Sequence, residues 1–251
     1  MSPTRTPQEV EAEARRLVAV AAAEGVGLRL LGGLAVRVHC PGHLEDAGRE
    51  RDYSDIDFVT ADGLSDVERA FQAADYKPFT RFNALHGHSR AIFYGPGDKL
   101  KVDIFLGDFT MCHKLPLGER LDADAPTVPL AELLLTKLQI VRLNSKDLID
   151  LGLLLAEHPV GDGDFETIDG ERVAALCSRD WGLQHTVERG LSRLEAEAAA
   201  LLPADAPAIR ERVDELRRRI EAHPKTRKWR LRARLGERVP WYEEPDEVAD
   251  E

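Results

Sequence analysis

The sequence predicts an α+β fold, a mixed sheet followed by a helical part, and three observations carry that prediction. Short apolar runs of strand length recur as far as Leu106, glycine-rich turns separate them, and past Pro129 helical periodicity takes over. Glu9 to Glu24 reads as the first helix, with Val10, Leu17 and Val18 at helical spacing and Gly25 as its stop. Gly27 to Leu31 is a short strand ending at Gly32-Gly33, and Leu34, Ala35, Val36 and Val38 open a helix behind it. His39 to Asp52 is polar and reads as a loop. Asp55 to Thr60 is the next strand and Ser65 to Ala74 a helix. Tyr76 to Thr80, Arg90 to Tyr94 and Leu100 to Leu106 complete the sheet, the last two joined as a hairpin by GPGD at Gly95 to Asp98.

Five helices are expected beyond: Leu130 to Leu143, Lys146 to Glu157, Arg172 to Cys177, Leu183 to Leu202 and Ala208 to Ala222. The last two read as an antiparallel pair. Leu183, Val187, Leu191, Leu194, Ala198 and Leu201 repeat at spacings of three and four, as do Ile209, Val213, Leu216 and Ile220, with Pro203 to Pro207 as the turn. The expected organisation is an α+β domain over 1–128, a helical domain over 129–240 and an acidic, frayed tail over 241–251.

With 251 residues and 43% hydrophobic content the chain can bury a sizeable core, which excludes fibrous and disordered classes. A formal net charge of −11 gives it no general attraction for nucleic acid or anionic membranes, so such binding must be local. Cys40, Cys112 and Cys177 form no short-spaced pair, which fits a reducing compartment. No stretch approaches the ~18 apolar residues of a membrane span, and a soluble cytoplasmic protein is expected.

SDIDFV at Ser54 to Val59 is the sharpest local feature. In a strand Asp55 and Asp57 share one face while Ile56 and Phe58 turn into the core. Two like charges so close raise each other's pKa unless a cation sits between them, and Mg²⁺ prefers one or two carboxylates plus phosphate oxygens. Asp103 adds a third acid in mid-strand between Val102 and Ile104. Three carboxylates on one sheet, with a diglycine upstream where phosphate can approach backbone, suit phosphoryl transfer. Lys137 sits among Leu133, Leu134, Ile140 and Val141, so it either snorkels to water or ends on a buried anion. Cys40 with His43, and His86 with His88, lack a four-ligand zinc set and read as surface loop; GDGD at Gly161 to Asp164 reads as a connector.

The order GGLAV at Gly32 to Val36, RDYSDID at Arg51 to Asp57 and then Asp103 resembles the nucleotidyltransferases of the DNA polymerase β type. TKLQIVRLNSKDLIDLGLLL at Thr136 to Leu155 is similar to the last motif of their AbiEii-type toxin branch, and the resemblance covers Leu28 to Leu155. It implies a mixed-sheet nucleotidyltransferase domain using Mg²⁺, or Mn²⁺, and a nucleoside triphosphate, with the site in a cleft before the helical part. Asp55, Asp57 and Asp103 would be the catalytic, metal-holding acids. Gly32, Gly33, Arg51, Ser54, Lys137 and Asp147 would serve the nucleotide. Two departures are visible: twenty-one residues separate Gly33 from Asp55, and Lys146 stands where the branch has arginine. The branch implies a toxin acting on tRNA beside a cognate antitoxin. An antibiotic-type enzyme with a small-molecule acceptor, or a non-catalytic nucleotide- or RNA-binding module, are the alternatives.

Ala208 to Arg238 contains twelve Lys or Arg against five Asp or Glu, a local +7 that leaves −18 elsewhere. Lys225, Arg227, Lys228, Trp229 and Arg230 in its last part suit phosphate contact and base stacking on tRNA. The competing expectation is a basic face neutralised by the protein's own acids.

Overall fold

The computed structural model describes residues 5–43, 52–97 and 100–244. The chain divides into two compact units, one of 1–109 with 116–129 and one of 110–115 with 130–251. Among the described residues no helix is long and apolar enough to cross a membrane.

Unit one begins with α1 (Pro7–Ala23), started by Thr6 and Glu9, which satisfy each other's backbone N–H groups in a capping box. Next come β1 (Arg29–Leu30), α2 (Gly32–His39), β2 (Asp55–Thr60), α3 (Leu64–Ala73), β3 (Lys77–Pro78), α4 (Thr80–His86), β4 (Arg90–Tyr94) and β5 (Lys101–Leu106). The sheet order is β1-β2-β5-β4-β3, with β2 and β5 parallel and the other neighbours antiparallel. The sheet is mixed, as expected. Ile56, Phe58, Val102, Ile104, Ala91 and Phe93 are fully buried and share one face by register. Phe71 of α3 packs on Phe93 there, ring centroids 4.5 Å apart.

Two local expectations are corrected. The helix behind the diglycine starts at Gly32 itself, which keeps the left-handed backbone of the expected turn, and Cys40, read as loop, caps α2 from a fully buried position. The strand expected over Tyr76 to Thr80 shrinks to two residues, and α4 follows. Its buried Asn83 accepts from Ile92 N at 2.8 Å and donates to Ile92 O at 3.2 Å, so a side chain completes hydrogen bonding where β3 ends. Phe79, Phe82, Asn83 and His86 already sit at helical spacing in the sequence.

Past β5 come the short strands β6 (Phe109–Thr110) and β7 (Lys114–Leu115) and a 3₁₀ segment at Leu117–Ala123. Unit two is built from α5 (Leu130–Leu138), α6 (Ser145–Glu157), the parallel pair β8 (Val160–Gly161) and β9 (Ile168–Asp169), α7 (Gly170–Arg179), α8 (Trp181–Leu201), α9 (Ala206–Ala222) and α10 (Arg227–Ala233). The α8 and α9 stripes pair as expected, with Leu183, Val187, Leu191, Leu194, Ile209, Val213 and Leu216 buried. Leu130 to Leu143 stops short, at Leu138. The expected frayed tail is tied down over residues 241–244: Trp241 Nε1 donates to Thr186 Oγ1 at 3.3 Å and Glu243 N to Cys112 O at 3.0 Å.

Candidate active site

The acids of unit one lie on the face of the sheet opposite the Phe71 contact. β2 carries Asp55, exposed at its start, and Asp57, half-buried, while Ser54 Oγ donates to Asp55 Oδ1 at 3.5 Å. Across the parallel pair Asp57 is the register partner of Asp103, so two carboxylates stand side by side on strands spaced ~4.8 Å apart. Arg51 lies outside the described residues.

The glycine pair reaches this acid directly. Leu31 N donates to Asp57 O at 2.8 Å, which pins the start of α2 to β2. Gly32 then turns through φ +67°, and a Cβ there would fall 2.2 Å from Asp57 Oδ2. Only glycine accommodates both the left-handed backbone and the carboxylate. Gly33, buried, follows in the first turn of α2, whose N-terminal N–H groups favour an anion nearby.

Asp103 is the acid expected to complete the metal-holding set. It is 3% exposed, and Arg90 of β4 grips it side-on: Nε donates to Oδ1 at 2.7 Å and Nη2 to Oδ2. Lys101 Nζ lies 4.0 Å from Oδ2. Among the described residues no group of three or more His, Cys, Asp or Glu is gathered as a metal site. Asp55 with Asp57 fits the one-or-two-carboxylate arrangement that Mg²⁺ takes when phosphate oxygens fill its other positions. Arg90 is the residue that the sequence reading missed. The signal was there, since the expected hairpin already set its strand beside that of Asp103.

In unit two, Lys137 is buried with a carboxylate on either side. Its Nζ is 2.8 Å from Asp150 Oδ2 and 3.2 Å from Asp147 Oδ1. Asp147 is shared, because its Oδ2 accepts from Asn144 N at 3.1 Å in the capping box that starts α6. Of the two fates open to Lys137, the buried anion is the one observed.

The basic stretch is also in unit two. Lys225 Nζ donates to Ile220 O and, at 3.1 Å, to His223 O, so it caps α9, and burial lowers its pKa. Arg227, Lys228, Arg230, Arg234 and Arg238 form no ion pair among the described residues, and the nearby Glu237 pairs with His185 and Arg189 instead. In α9, by contrast, Arg217, Arg218 and Arg219 each hold a carboxylate. Arg179, Trp181, Lys228, Trp229, Arg232 and Trp241 line a cavity of about 420 Å³. The cysteines are buried and unbridged, and burial pushes the Cys177 thiol up to about 12.

A mixed sheet that sets paired acids beside a glycine-led helix is the architecture of a nucleotidyltransferase. The family model of the AbiEii nucleotidyl transferase toxin, type IV toxin–antitoxin system, matches residues 43–237, and the chain belongs to that family. No curated protein matches it. Among solved structures it is similar to the antibiotic-resistance factor ANT(2'')-Ia, at 12% identity over 76% of this chain and 94% of that one, TM-score 0.41. JHP933 from Helicobacter pylori aligns at 12% identity over 90% of this chain and 98% of that one, TM-score 0.41. A tRNA-processing enzyme aligns at 15% identity over 92% of this chain and 64% of that one, TM-score 0.32.

Two substitutions test this geometry. Gly32→Ala must displace the Asp57 carboxylate and strain the backbone, so it should cost about 1–2 kcal/mol in urea unfolding and most of the transferase activity. Wild-type activity in that variant would show that the close approach is incidental. Lys137→Met removes the cation between two buried carboxylates and should lower stability by about 3–5 kcal/mol, where a lysine snorkelling to water would leave melting unchanged.

Proposed function

We propose that this chain transfers a nucleotide from a nucleoside triphosphate to an acceptor hydroxyl, with Asp55 and Asp57 holding Mg²⁺ or Mn²⁺ beside the N-terminus of α2. The single observation that carries this reading is the seating of Gly32 on the Asp57 carboxylate, beside the register partner Asp103. When bound, the ion would neutralise charge developing on the phosphates. Gly32 and Gly33 bring backbone N–H groups to the triphosphate and Ser54 adds a hydroxyl. Asp103 is the base that takes the acceptor's proton, and Arg51 serves the nucleotide as the motif implies. Lys137, aimed by Asp147 and Asp150, serves nucleotide phosphate as a point charge.

The acceptor we propose is RNA, tRNA in the first place, with a cognate antitoxin as the system partner that the family name carries. Support comes from the cations around α10, several of which pair with no carboxylate among the described residues, and from the tryptophans among them.

Incubation with each labelled NTP and Mg²⁺, with and without total RNA, tests the activity. Asp57→Asn should remove transfer by several orders of magnitude while leaving the fold at least as stable, because like-charge repulsion is relieved. Activity within about tenfold of wild type would sink the metal assignment. For the acceptor, filter binding across a salt series should show affinity falling linearly in log–log form. Changing Arg227, Lys228 and Arg230 to Gln should flatten the slope by about one unit per lost contact, and Trp229→Ala should add a salt-independent loss of ~1–3 kcal/mol. A slope that ignores the triple change would point to a small-molecule acceptor.

A further inference from the structure

Arg90 does more than end a strand. Its guanidinium lies 5.2 Å from the ring centroid of Phe105 and 6.0 Å from that of Phe82, and Phe82 in turn stacks on His86 at 4.6 Å. From that aromatic seat the fork engages both oxygens of Asp103, whose remaining partner is Lys101. A carboxylate held side-on by arginine offers a metal only its outer lone pairs, and the charge beside it repels a dication. Asp57 and Asp103 are register partners, and without a cation between or beside them they would repel each other.

We infer that Arg90 is the built-in counter-ion of the carboxylate face: it engages Asp103 in the metal-free protein and keeps affinity for the free divalent ion low, so that the ion enters with the triphosphate. The triphosphate's own negative charge offsets the guanidinium, which the free ion cannot do. The inference rests on the proposed reading of Asp55 and Asp57 as the metal-holding pair. Two effects of Arg90 oppose each other. An arginine that merely orients a metal ligand raises affinity, by about 10- to 100-fold in known sites. A positive charge fixed within a few ångströms of a dication in a half-buried site lowers it more, because the interaction with a double charge is twice that with a single one and burial limits screening. Repulsion should therefore win.

The experiment is titration of the full chain with Mn²⁺ alone, free ion read by electron paramagnetic resonance. Arg90→Met keeps an apolar stem between Phe82 and Phe105, and should bind Mn²⁺ at least about tenfold more tightly than wild type. Arg90→Lys, which keeps the charge, should stay near wild type. Adding Asp103→Asn to Arg90→Met should erase the gain. A merely structural arginine would not increase affinity when removed, so Arg90→Met binding no more tightly than wild type overturns the inference, as does a gain that survives Asp103→Asn. Arg90→Gln provides the same comparison should the Met variant fail to fold by circular dichroism. The underlying reading fails separately: if Arg90→Met gains affinity and keeps it with Asp57→Asn added, the ion sits elsewhere and the metal assignment falls. If Asp57→Asn abolishes nucleotide transfer while Arg90→Met gains nothing, the assignment stands and only the role of Arg90 is lost.

Discussion

Like-charge repulsion across β2 and β5 is the constraint that organises unit one. Register makes Asp57 and Asp103 neighbours, and a pair of carboxylates at strand spacing is unfavourable unless its surroundings supply positive potential. Each adjoining element answers that need. The start of α2 brings the positive end of a helix close to Asp57 and gives up a side chain at Gly32, so the carboxylate has room. β4 contributes the guanidinium, and Phe82 of α4 and Phe105 of β5 contribute the rings that seat it. The opposite face of the same strands buries Ile56, Phe58, Val102 and Ile104, so alternation along two strands separates the chemistry from the core.

Much of this was legible in the sequence where a single segment determines its own structure. β2 and β4 occupy the residues expected, because alternation with buried Ile56 and Phe58, or a short apolar run beside a glycine turn, leaves little choice of register. The sharing of one face by Asp55 and Asp57 follows from the same periodicity. What was not legible depends on which residues of separate segments meet. Arg90 looks like the polar first residue of an apolar strand, and only the pairing of β4 with β5 reveals that it stands diagonally across from Asp103. The shape of α4 had a local signal, the spacing of Phe79, Phe82 and His86, which lost to the β-propensity of the preceding residues. Cys40 was misplaced because a polar stretch following it says nothing about the position of the thiol itself.

Unit two applies the same electrostatics to helices. α5 is buried over its whole length, including Glu132 and Lys137, so both charges must be met inside. Arg172 of α7 donates to Glu132 at 2.8 Å, and Lys137 meets Asp147 and Asp150. These contacts tie α5 to α7 and to α6 by groups that are costly to strand, which favours one helix arrangement over alternatives that apolar packing alone would tolerate. The spacing of Asp147 and Asp150 puts both carboxylates on one face of α6, and Asn144 fixes where that helix starts. The NSKDLID segment is thus explained as a cap and a paired-acid face before any nucleotide is invoked.

Against that background of matched charges, the stretch after α9 is an exception with a direction. A chain carrying −11 has acids to spare, and unit two spends them on internal arginines such as Arg172, Arg217 and Arg219. Between Arg227 and Arg238 only Glu237 interrupts the cations, and it faces His185 and Arg189. Arg232 is engaged by carbonyls of Gly236, Val239 and Pro240 and lies over Trp181 at 4.9 Å, contacts that order the segment without cancelling its charge. Cations that meet no carboxylate among the described residues repel one another, which works against the compact state. The polyanionic acceptor proposed above would supply charge from outside, on a protein whose overall charge of −11 would otherwise repel it.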